Sequence, residues 1–303
     1  MVNRRVQTTI GELYIETVGS GPPAMLWHSL FVDSHQWDRV RARLSQHRTL
    51  LMVDGPGHGR SGPPPMKFSL EDCAAAAMQV LDALGIGRVD WVGNAWGGHV
   101  GIVLGAIEPQ RIKSIVAGAA PLHPLRPSQR MQINALVTIY RLFGPTRLVR
   151  NAVEAALLSY DVRRNDVQAV RLVRDAFVAA EKTGMYRAMR DVMLHRPDIT
   201  DSFRALRVPI LLIAGEQDEF WTPDDAMDAA RQNRAAVAST IDRSSHLAAL
   251  EAADLFVQRT LEFWNSNNVS TTSNGFAIGQ PVPESLVQAV KHCPKPNDEA
   301  GRQ

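Results

Sequence analysis

The stretch Trp91-Val92-Gly93-Asn94-Ala95-Trp96-Gly97-Gly98 joins an apolar run to a helical pattern through a turn rich in glycine. The apolar residues before the turn predict a buried strand, and the small residues after it predict a helix start. A Gly-x-Ser-x-Gly sequence at such a junction makes a sharp turn that holds the central side chain above the sheet as a nucleophile. Here the central residue is Ala95, so the turn is predicted without its reactive oxygen.

Glycine-rich turns are common, and an ordinary strand-turn-helix junction is the alternative interpretation. The composition is that of an ordinary globular protein, with 45% hydrophobic and 21% charged residues in a chain of 303. Its 33 basic and 31 acidic side chains form no long run of one sign, which argues against a nucleic-acid or membrane partner. The expected partner is a small molecule, and the sequence leaves the oligomeric state open, a homodimer included.

The chain shows neither a signal-peptide pattern nor an apolar run of membrane-spanning length. Its two cysteines, Cys73 and Cys293, are far apart in the sequence. These features predict a cytoplasmic protein without structural disulfides. We find no HExxH, GxGxxG or GxxxxGK[ST] pattern, so neither a metal nor a nucleotide cofactor is predicted.

Short apolar runs alternate with helical patterns along much of the chain. Runs that are continuous and bounded by Gly, Pro or Asp are typical of strands buried on both faces of a parallel sheet. The predicted strands are Leu13–Val18, Ala24–Trp27, Leu50–Val53, Val89–Val92, Ile112–Val116, Ile210–Ala214 and Val237–Ile241, with a last helix over Leu247–Trp264. This alternation predicts an α/β fold with a mostly parallel, doubly wound sheet.

Only helical periodicity is present between the strands that end near residue 117 and resume near 208. We therefore predict a core formed by residues 1–120 and 205–265, with a helical cap, 121–204, over the carboxyl edge of the sheet. Within the cap, flexible side chains at a spacing of four indicate either core packing or an adaptable substrate pocket. These are Met185, Met189 and Met193, which we predict to contact the substrate. The polar segment 266–303 is expected to be weakly ordered or docked on the surface.

An acid and a base follow the last two predicted strands. Asp218 lies just after Ile210–Ala214, and His246 lies just after Val237–Ile241. A histidine near a helix start is more often a packing residue, but parallel strands bring both of these loops to the edge where Ala95 is expected. Acyl transfer by serine needs a nucleophile, a base, a carboxylate that orients the base, and donors for an oxyanion. All but the nucleophile are predicted here.

The order of nucleophile, acid and base resembles the α/β-hydrolase superfamily over residues 10–265. Three motifs, His28-Ser29-Leu30, Asp54-Gly55-Pro56-Gly57-His58-Gly59-Arg60-Ser61 and Ser245-His246-Leu247 followed by Glu251, are similar to those of enol-lactone hydrolases and related small esterases and lactonases. The resemblance implies an oxyanion hole formed by the backbone N–H groups of Leu30 and Trp96. It also places His28 and Ser29 beside the substrate, although His28 could instead hold the loop.

Two explanations compete for Ala95. Either a natural protein has lost catalysis, or a nucleophile was replaced deliberately so that substrate is held unreacted. Retention of the strained turn, the acid and the base favours replacement, because an inactive protein has no reason to keep them. The motifs favour serine as the parent residue, whereas Trp96 leaves aspartate as an alternative, since dehalogenases and epoxide hydrolases often carry Asp-Trp at this turn.

The sequence therefore predicts a serine-type hydrolase of a carboxylic ester or lactone with a hydrophobic small-molecule substrate, inactivated at Ala95. Three alternatives stay open. The chain could be a natural non-catalytic binder of a small ligand, or a dehalogenase or epoxide hydrolase with aspartate as the parent residue. It could also be a cofactor-free dioxygenase in which the pair of His246 and Asp218 deprotonates the substrate.

Overall fold

A computed structural model describes residues 2–269 of the chain, and its centre is an eight-stranded sheet. The strand order is β1-β2-β4-β3-β5-β6-β7-β8, in which β1 and β2 run antiparallel to their neighbours and the remaining pairs are parallel. The strands are β1 Val2–Thr8, β2 Gly11–Val18, β3 Pro23–Trp27, β4 Thr49–Asp54, β5 Val89–Asn94, β6 Ile112–Gly118, β7 Ile210–Gly215 and β8 Ala236–Ile241. The predicted α/β fold class is confirmed.

Strand β1 is absent from the predicted set of strands. It lies at the edge of the sheet, and nearly all of its side chains are exposed or half-buried. Because an edge strand that faces water needs no apolar run, the sequence gives little signal for it. The other strands all coincide with predicted ones. For β3 to β7 the reason is burial, which requires continuous apolar residues, whereas the edge strand β8 is mostly half-buried.

Helices cover both faces of the sheet. They are α1 Asp38–Leu44, α2 Leu70–Ala83, α3 Trp96–Ile107, α4 Pro127–Phe143, α5 Arg147–Leu157, α6 Tyr160–Asn165, α7 Val167–Ala179, α8 Lys182–Ala188, α9 Thr200–Ala205, α10 Pro223–Ala230, α11 Ala248–Glu251 and α12 Ala253–Val269, with one π-helical turn over Met189–Leu194. Among the described residues, no strand lies between β6 and β7, and α4 to α9 occupy that interval.

The predicted last helix, Leu247–Trp264, is wrong in two respects. It is divided at Ala252, whose φ of −131° and ψ of 57° are not helical. Its second part, α12, continues to Val269 and so includes the first residues of the predicted polar tail. The remainder of that tail, 270–303, lies outside the described residues.

Two apolar clusters lie on opposite faces of the sheet, as the alternation of β3 shows. Met25 and Trp27 belong to one cluster, and Ala24 and Leu26 to the other. The first cluster continues into the helices between β6 and β7 through buried residues that include Val149, Val153, Val173 and Phe177. The helical segment therefore shares an apolar core with this face of the sheet. This shared core holds the segment against the sheet.

Glycine is required where β5 meets α3. A Cβ on Gly93 would lie 2.2 Å from the carbonyl carbon of Gly97, and a Cβ on Gly97 would lie 1.9 Å from the carbonyl oxygen of Trp27. Both neighbours are backbone atoms, which cannot move aside as a flexible side chain would. The close packing of strand against helix at this junction therefore explains both glycines.

We expect Gly97→Ala to lower the free energy of unfolding by about 3 kcal/mol or more, because the new methyl group must displace the β3 backbone. Urea unfolding followed by circular dichroism measures the change. Gly87→Ala is the matched control, since a Cβ there meets nothing within 4 Å. Equal stability of the two variants would contradict the close approach at Gly97.

Candidate active site

The turn after β5 holds Ala95 in a strained conformation, with φ 47° and ψ −106°. Its backbone N–H donates to the carbonyl of Gly118 at 2.7 Å, and its carbonyl accepts from the N–H of His99 at 2.9 Å. Positive φ in a residue other than glycine costs on the order of 1–3 kcal/mol and is often found at functional sites. This backbone has the strained strand-turn-helix shape expected of a nucleophile elbow, with a methyl group at the predicted nucleophile position.

Asp218 and His246 form a hydrogen-bonded pair at the ends of β7 and β8. The Nδ1 atom of His246 lies 3.0 Å from Oδ2 of Asp218, whose side chain has no exposed surface. The other oxygen, Oδ1, accepts the backbone N–H groups of Phe220 at 2.9 Å and Trp221 at 3.3 Å. A carboxylate fixed in this way holds the proton on Nδ1 and leaves Nε2 as the basic atom of the ring.

One cavity contains Ala95, His246, Leu30 and Trp96 among its lining residues. It measures about 800 Å³ with its open mouth included. Its wall is mostly apolar and comes from both the strand ends and the helical segment, including Phe31, Ala119, Pro121, Leu125, Ile133, Leu136, Ala152, Val153, Ala156, Leu157, Val192, Met193 and Phe220. The predicted nucleophile position and base thus face the same space, with Asp218 behind the base.

The two residues predicted to form an oxyanion hole come from different segments, Leu30 from the loop after β3 and Trp96 from the start of α3. Trp96 is the first residue of α3, so its N–H has no acceptor within the helix. The loop of Leu30 is fixed by its neighbour Ser29, whose N–H donates to Oε1 of Gln36 at 2.9 Å. Both Leu30 and Ser29 line the cavity. Their roles stay predictions, because the structure contains no reacting group.

The prediction that His28 contacts the substrate needs correction. His28 is fully buried and is not among the residues that line the cavity. Its Nδ1 donates to the carbonyl of Ser29 at 2.6 Å, and its Nε2 accepts the N–H of Gly55 at 2.8 Å. His28 therefore ties the loop after β3 to the loop after β4, and both ring nitrogens are already used.

The methionine prediction is also corrected in part. Met193 lines the cavity, but Met185 and Met189 are completely buried in the apolar core and do not. A spacing of four places side chains on one face of a helix without specifying which neighbour that face meets. The part of this segment that reaches the cavity is the π-helical turn, through Val192 and Met193.

Two residues without a predicted role hold the loop of His246, the predicted base. Nδ2 of Asn94 donates to the carbonyl of His246 at 3.0 Å and so joins the turn to the histidine loop. The carboxylate of Glu251 accepts the N–H groups of Ser245 and of Ser159, which joins that loop to the helical segment. Burial raises the pKa of Glu251. Asn94 carries no sequence signal beyond its place before Ala95, since its partner is distant in sequence.

Three buried histidines near the cavity have lowered pKa values, with burial as the main cause for each: His28, His58 and His99. For His58, burial and the proximity of His28 lower the pKa to about 3. An unfolded histidine has a pKa of about 6.5, so below that pH the unfolded chain takes up protons that the folded protein does not. Stability is therefore complete above about pH 6.5 and declines as the pH falls towards the folded-state pKa values.

We expect the free energy of unfolding to decrease between pH 7 and pH 5 by up to about 1.4 kcal/mol per pH unit for each such histidine. Urea titrations at several pH values measure the slope. His58→Gln removes one of these groups and should make the slope shallower. An unchanged slope in that variant would show that His58 accepts a proton in the folded protein.

The sequence profile of the alpha/beta hydrolase family matches residues 24–259, and the chain belongs to this family. The pimeloyl-[acyl-carrier protein] methyl ester esterase of Nitrosospira multiformis is 26% identical over 265 residues, which cover 83% of this chain and 97% of that protein. The putative non-heme haloperoxidase of Mycobacterium phage D29 aligns over a shorter stretch, 31% identical over 103 residues that cover 34% of this chain and 37% of that protein.

Solved structures have the same fold. The enol-lactonase from Burkholderia xenovorans LB400 is 24% identical, with a TM-score of 0.80 over 86% of this chain and all of the other. A thermophilic esterase from Thermogutta terrifontis is 23% identical, with a TM-score of 0.81 over 88% of this chain and 99% of the other. The predicted resemblance to this superfamily is confirmed. In the part of the chain that the structure describes, no helix is both long and apolar enough to cross a membrane.

Proposed function

We propose that this chain has the active site of a serine-type hydrolase of carboxylic esters or lactones, with alanine in place of the nucleophile. The observation that carries the proposal is that Ala95 and His246 line the same cavity while Asp218 holds the opposite ring nitrogen of His246 at 3.0 Å. As it stands, the chain would bind such a substrate without cleaving it, because a methyl group cannot attack a carbonyl.

With serine at position 95, each step has a residue to perform it. Nε2 of His246 would take the hydroxyl proton as Oγ attacks the carbonyl carbon, and the backbone N–H groups of Leu30 and Trp96 would stabilise the oxyanion. The protonated imidazole would then give its proton to the departing alkoxide. Water, activated by the same nitrogen, would release the acid and restore the serine.

Several similar proteins are hydrolases of esters or lactones, which supports this reaction class. One of the relatives aligned over most of both chains is a methyl ester esterase, and the structural neighbours include an esterase and an enol-lactonase. The mostly apolar wall of the cavity fits a substrate with a hydrophobic body. These similarities support the reaction class of the proposal, and the apolar wall supports a hydrophobic substrate.

The test is Ala95→Ser assayed against a panel of esters and lactones by release of acid at constant pH. Hydrolysis by the variant, and none above background by the unsubstituted chain, would support the proposal. A folded variant that is inactive across the whole panel would refute it. Ala95→Asp, assayed for halide release from haloalkanes, tests the alternative parent residue in the same way.

A further inference from the structure

Besides Ser29 and His246, the cavity has a polar corner formed by His99 and Arg196. Both side chains line the cavity, and both are buried, with 5% and 8% of their surface exposed. Nη1 of Arg196 lies 2.6 Å from Nε2 of His99. Among the residues that line the cavity in the described part of the chain there is no aspartate or glutamate. The corner is therefore a concentration of hydrogen-bond donors in a mostly apolar wall.

The tautomer of His99 follows from its contact with Arg196. Nε2 of His99 lies 2.6 Å from Nη1 of Arg196 and 3.1 Å from the carbonyl oxygen of Pro121, which itself accepts from Nη1. Because a guanidinium group can only donate, the shorter contact makes Nε2 an acceptor and places the ring proton on Nδ1. This Nδ1 is buried and has no hydrogen-bond partner. Burial and the neighbouring cation of Arg196 keep the pKa of His99 well below its usual value, so the ring stays a neutral donor. An unsatisfied buried N–H is costly, so this corner of the protein is short of a hydrogen-bond acceptor.

Arg196 is a buried cation without a close carboxylate partner. Its guanidinium donates to the carbonyls of Pro121 and His123 as well as to His99, which accounts for three contacts from five N–H groups. Burial lowers its pKa to about 10, so it remains charged at neutral pH. Asp198, the carboxylate that acts against this shift, is bonded to Thr200 and contacts His123. Buried charges are ordinarily paired, so a ligand anion would complete this site.

We propose that His99 and Arg196 form a carboxylate-binding subsite within the cavity, so that the substrate is an ester or lactone that also bears a free carboxylate. The inference rests on the proposed function, because it uses the cavity assigned there to the acyl group. His99 lies one helical turn beyond Ala95, which corresponds to roughly 6 Å along the axis of α3. About five bonds between the ester carbonyl and the carboxylate would span that distance, as in a half-ester of a six-carbon diacid.

Binding to the unsubstituted chain tests the subsite without requiring catalysis. Isothermal titration compares monomethyl adipate, which carries one carboxylate, with the neutral dimethyl adipate. We expect the monoanion to bind at least about tenfold more tightly, as a charge-assisted hydrogen bond in a dry site allows. Arg196→Gln should reduce this preference to about twofold or less, and His99→Leu should weaken it.

Two further variants separate a specific subsite from general effects. Arg171→Gln removes an exposed positive charge from α7 and should leave the preference unchanged. Arg196→Lys keeps the charge and should retain part of the preference, which covers the case in which Arg196→Gln fails to fold. Equal binding of the two esters, a preference that survives loss of Arg196, or no binding of the monoanion at about 10 mM would overturn the proposal.

Failure of this inference can be told apart from failure of the proposed function. If Ala95→Ser hydrolyses neutral esters while the binding data show no preference for the anion, only the subsite is refuted. If the anion binds through Arg196 while Ala95→Ser is inert towards all esters and lactones, including carboxylate-bearing ones, the hydrolytic function is refuted, and the cavity is an anion-binding site.

Discussion

Ala95→Ser is expected to raise the rate of hydrolysis of a reactive aryl ester such as p-nitrophenyl acetate by about 10⁴-fold or more. In serine hydrolases, loss of the nucleophile costs up to about 10⁶-fold in turnover, and what remains comes from the oxyanion hole and binding. A gain of 10⁴ corresponds to about 5.5 kcal/mol of barrier lowering. The size of this gain depends on the elbow, which already holds residue 95 at φ 47° next to the cavity.

Ala119→Ser provides a matched control for this gain. Ala119 also has a positive φ, 49°, lies at the end of β6 and lines the same cavity. A hydroxyl at position 119 enters the same cavity but does not lie at the junction of β5 and α3. It should therefore produce no more than background hydrolysis. Initial rates from p-nitrophenolate release compare the two variants directly. Equal rates would show that the position of the hydroxyl is unimportant and that no elbow nucleophile is involved.

Asp218→Asn in the Ala95→Ser background is expected to lower kcat by about 10³- to 10⁴-fold with little change in KM. The amide would present a donor where Nδ1 of His246 needs an acceptor, which favours the wrong ring tautomer and removes the charge that stabilises the imidazolium. The present contact is 3.0 Å long, and the carboxylate is buried, so water cannot replace it readily.

Steady-state kinetics of both variants give kcat and KM separately. Glu219→Gln is the matched control, because Glu219 is the adjacent residue in the same loop but is exposed. It should leave kcat within about twofold. A loss below tenfold in Asp218→Asn would mean that this carboxylate does not orient the base, whatever its position in the structure.

The sequence predicts the parts of this molecule that depend on buried, local patterns. The central strands are recognisable because strands covered on both faces need continuous apolar residues. Asp218 and His246 are predicted as a pair because each follows such a strand, and parallel strands end at one edge. The structure places them 3.0 Å apart.

Elements that are exposed to solvent, and contacts between residues distant in sequence, are not predicted. Strand β1 is mostly exposed and so has no apolar run. Met185 and Met189 share a periodicity with Met193, but only contact with the rest of the fold decides that Met193 alone faces the cavity. His99 and Arg196 are 97 positions apart, and neither belongs to a motif. Their pairing becomes visible only when the helical segment is placed over α3.

Reaction of the Ala95→Ser chain with an alkyl fluorophosphonate tests the central claim most directly, because it requires no knowledge of the substrate. An activated serine attacks phosphorus and displaces fluoride, which leaves a stable phosphonyl ester and a defined mass increase. Intact-mass and peptide mass spectrometry should locate one adduct on residue 95, absent from the unsubstituted chain and strongly reduced when His246→Ala is added. A folded Ala95→Ser protein that forms no adduct, or forms it equally fast without His246, would contradict the account.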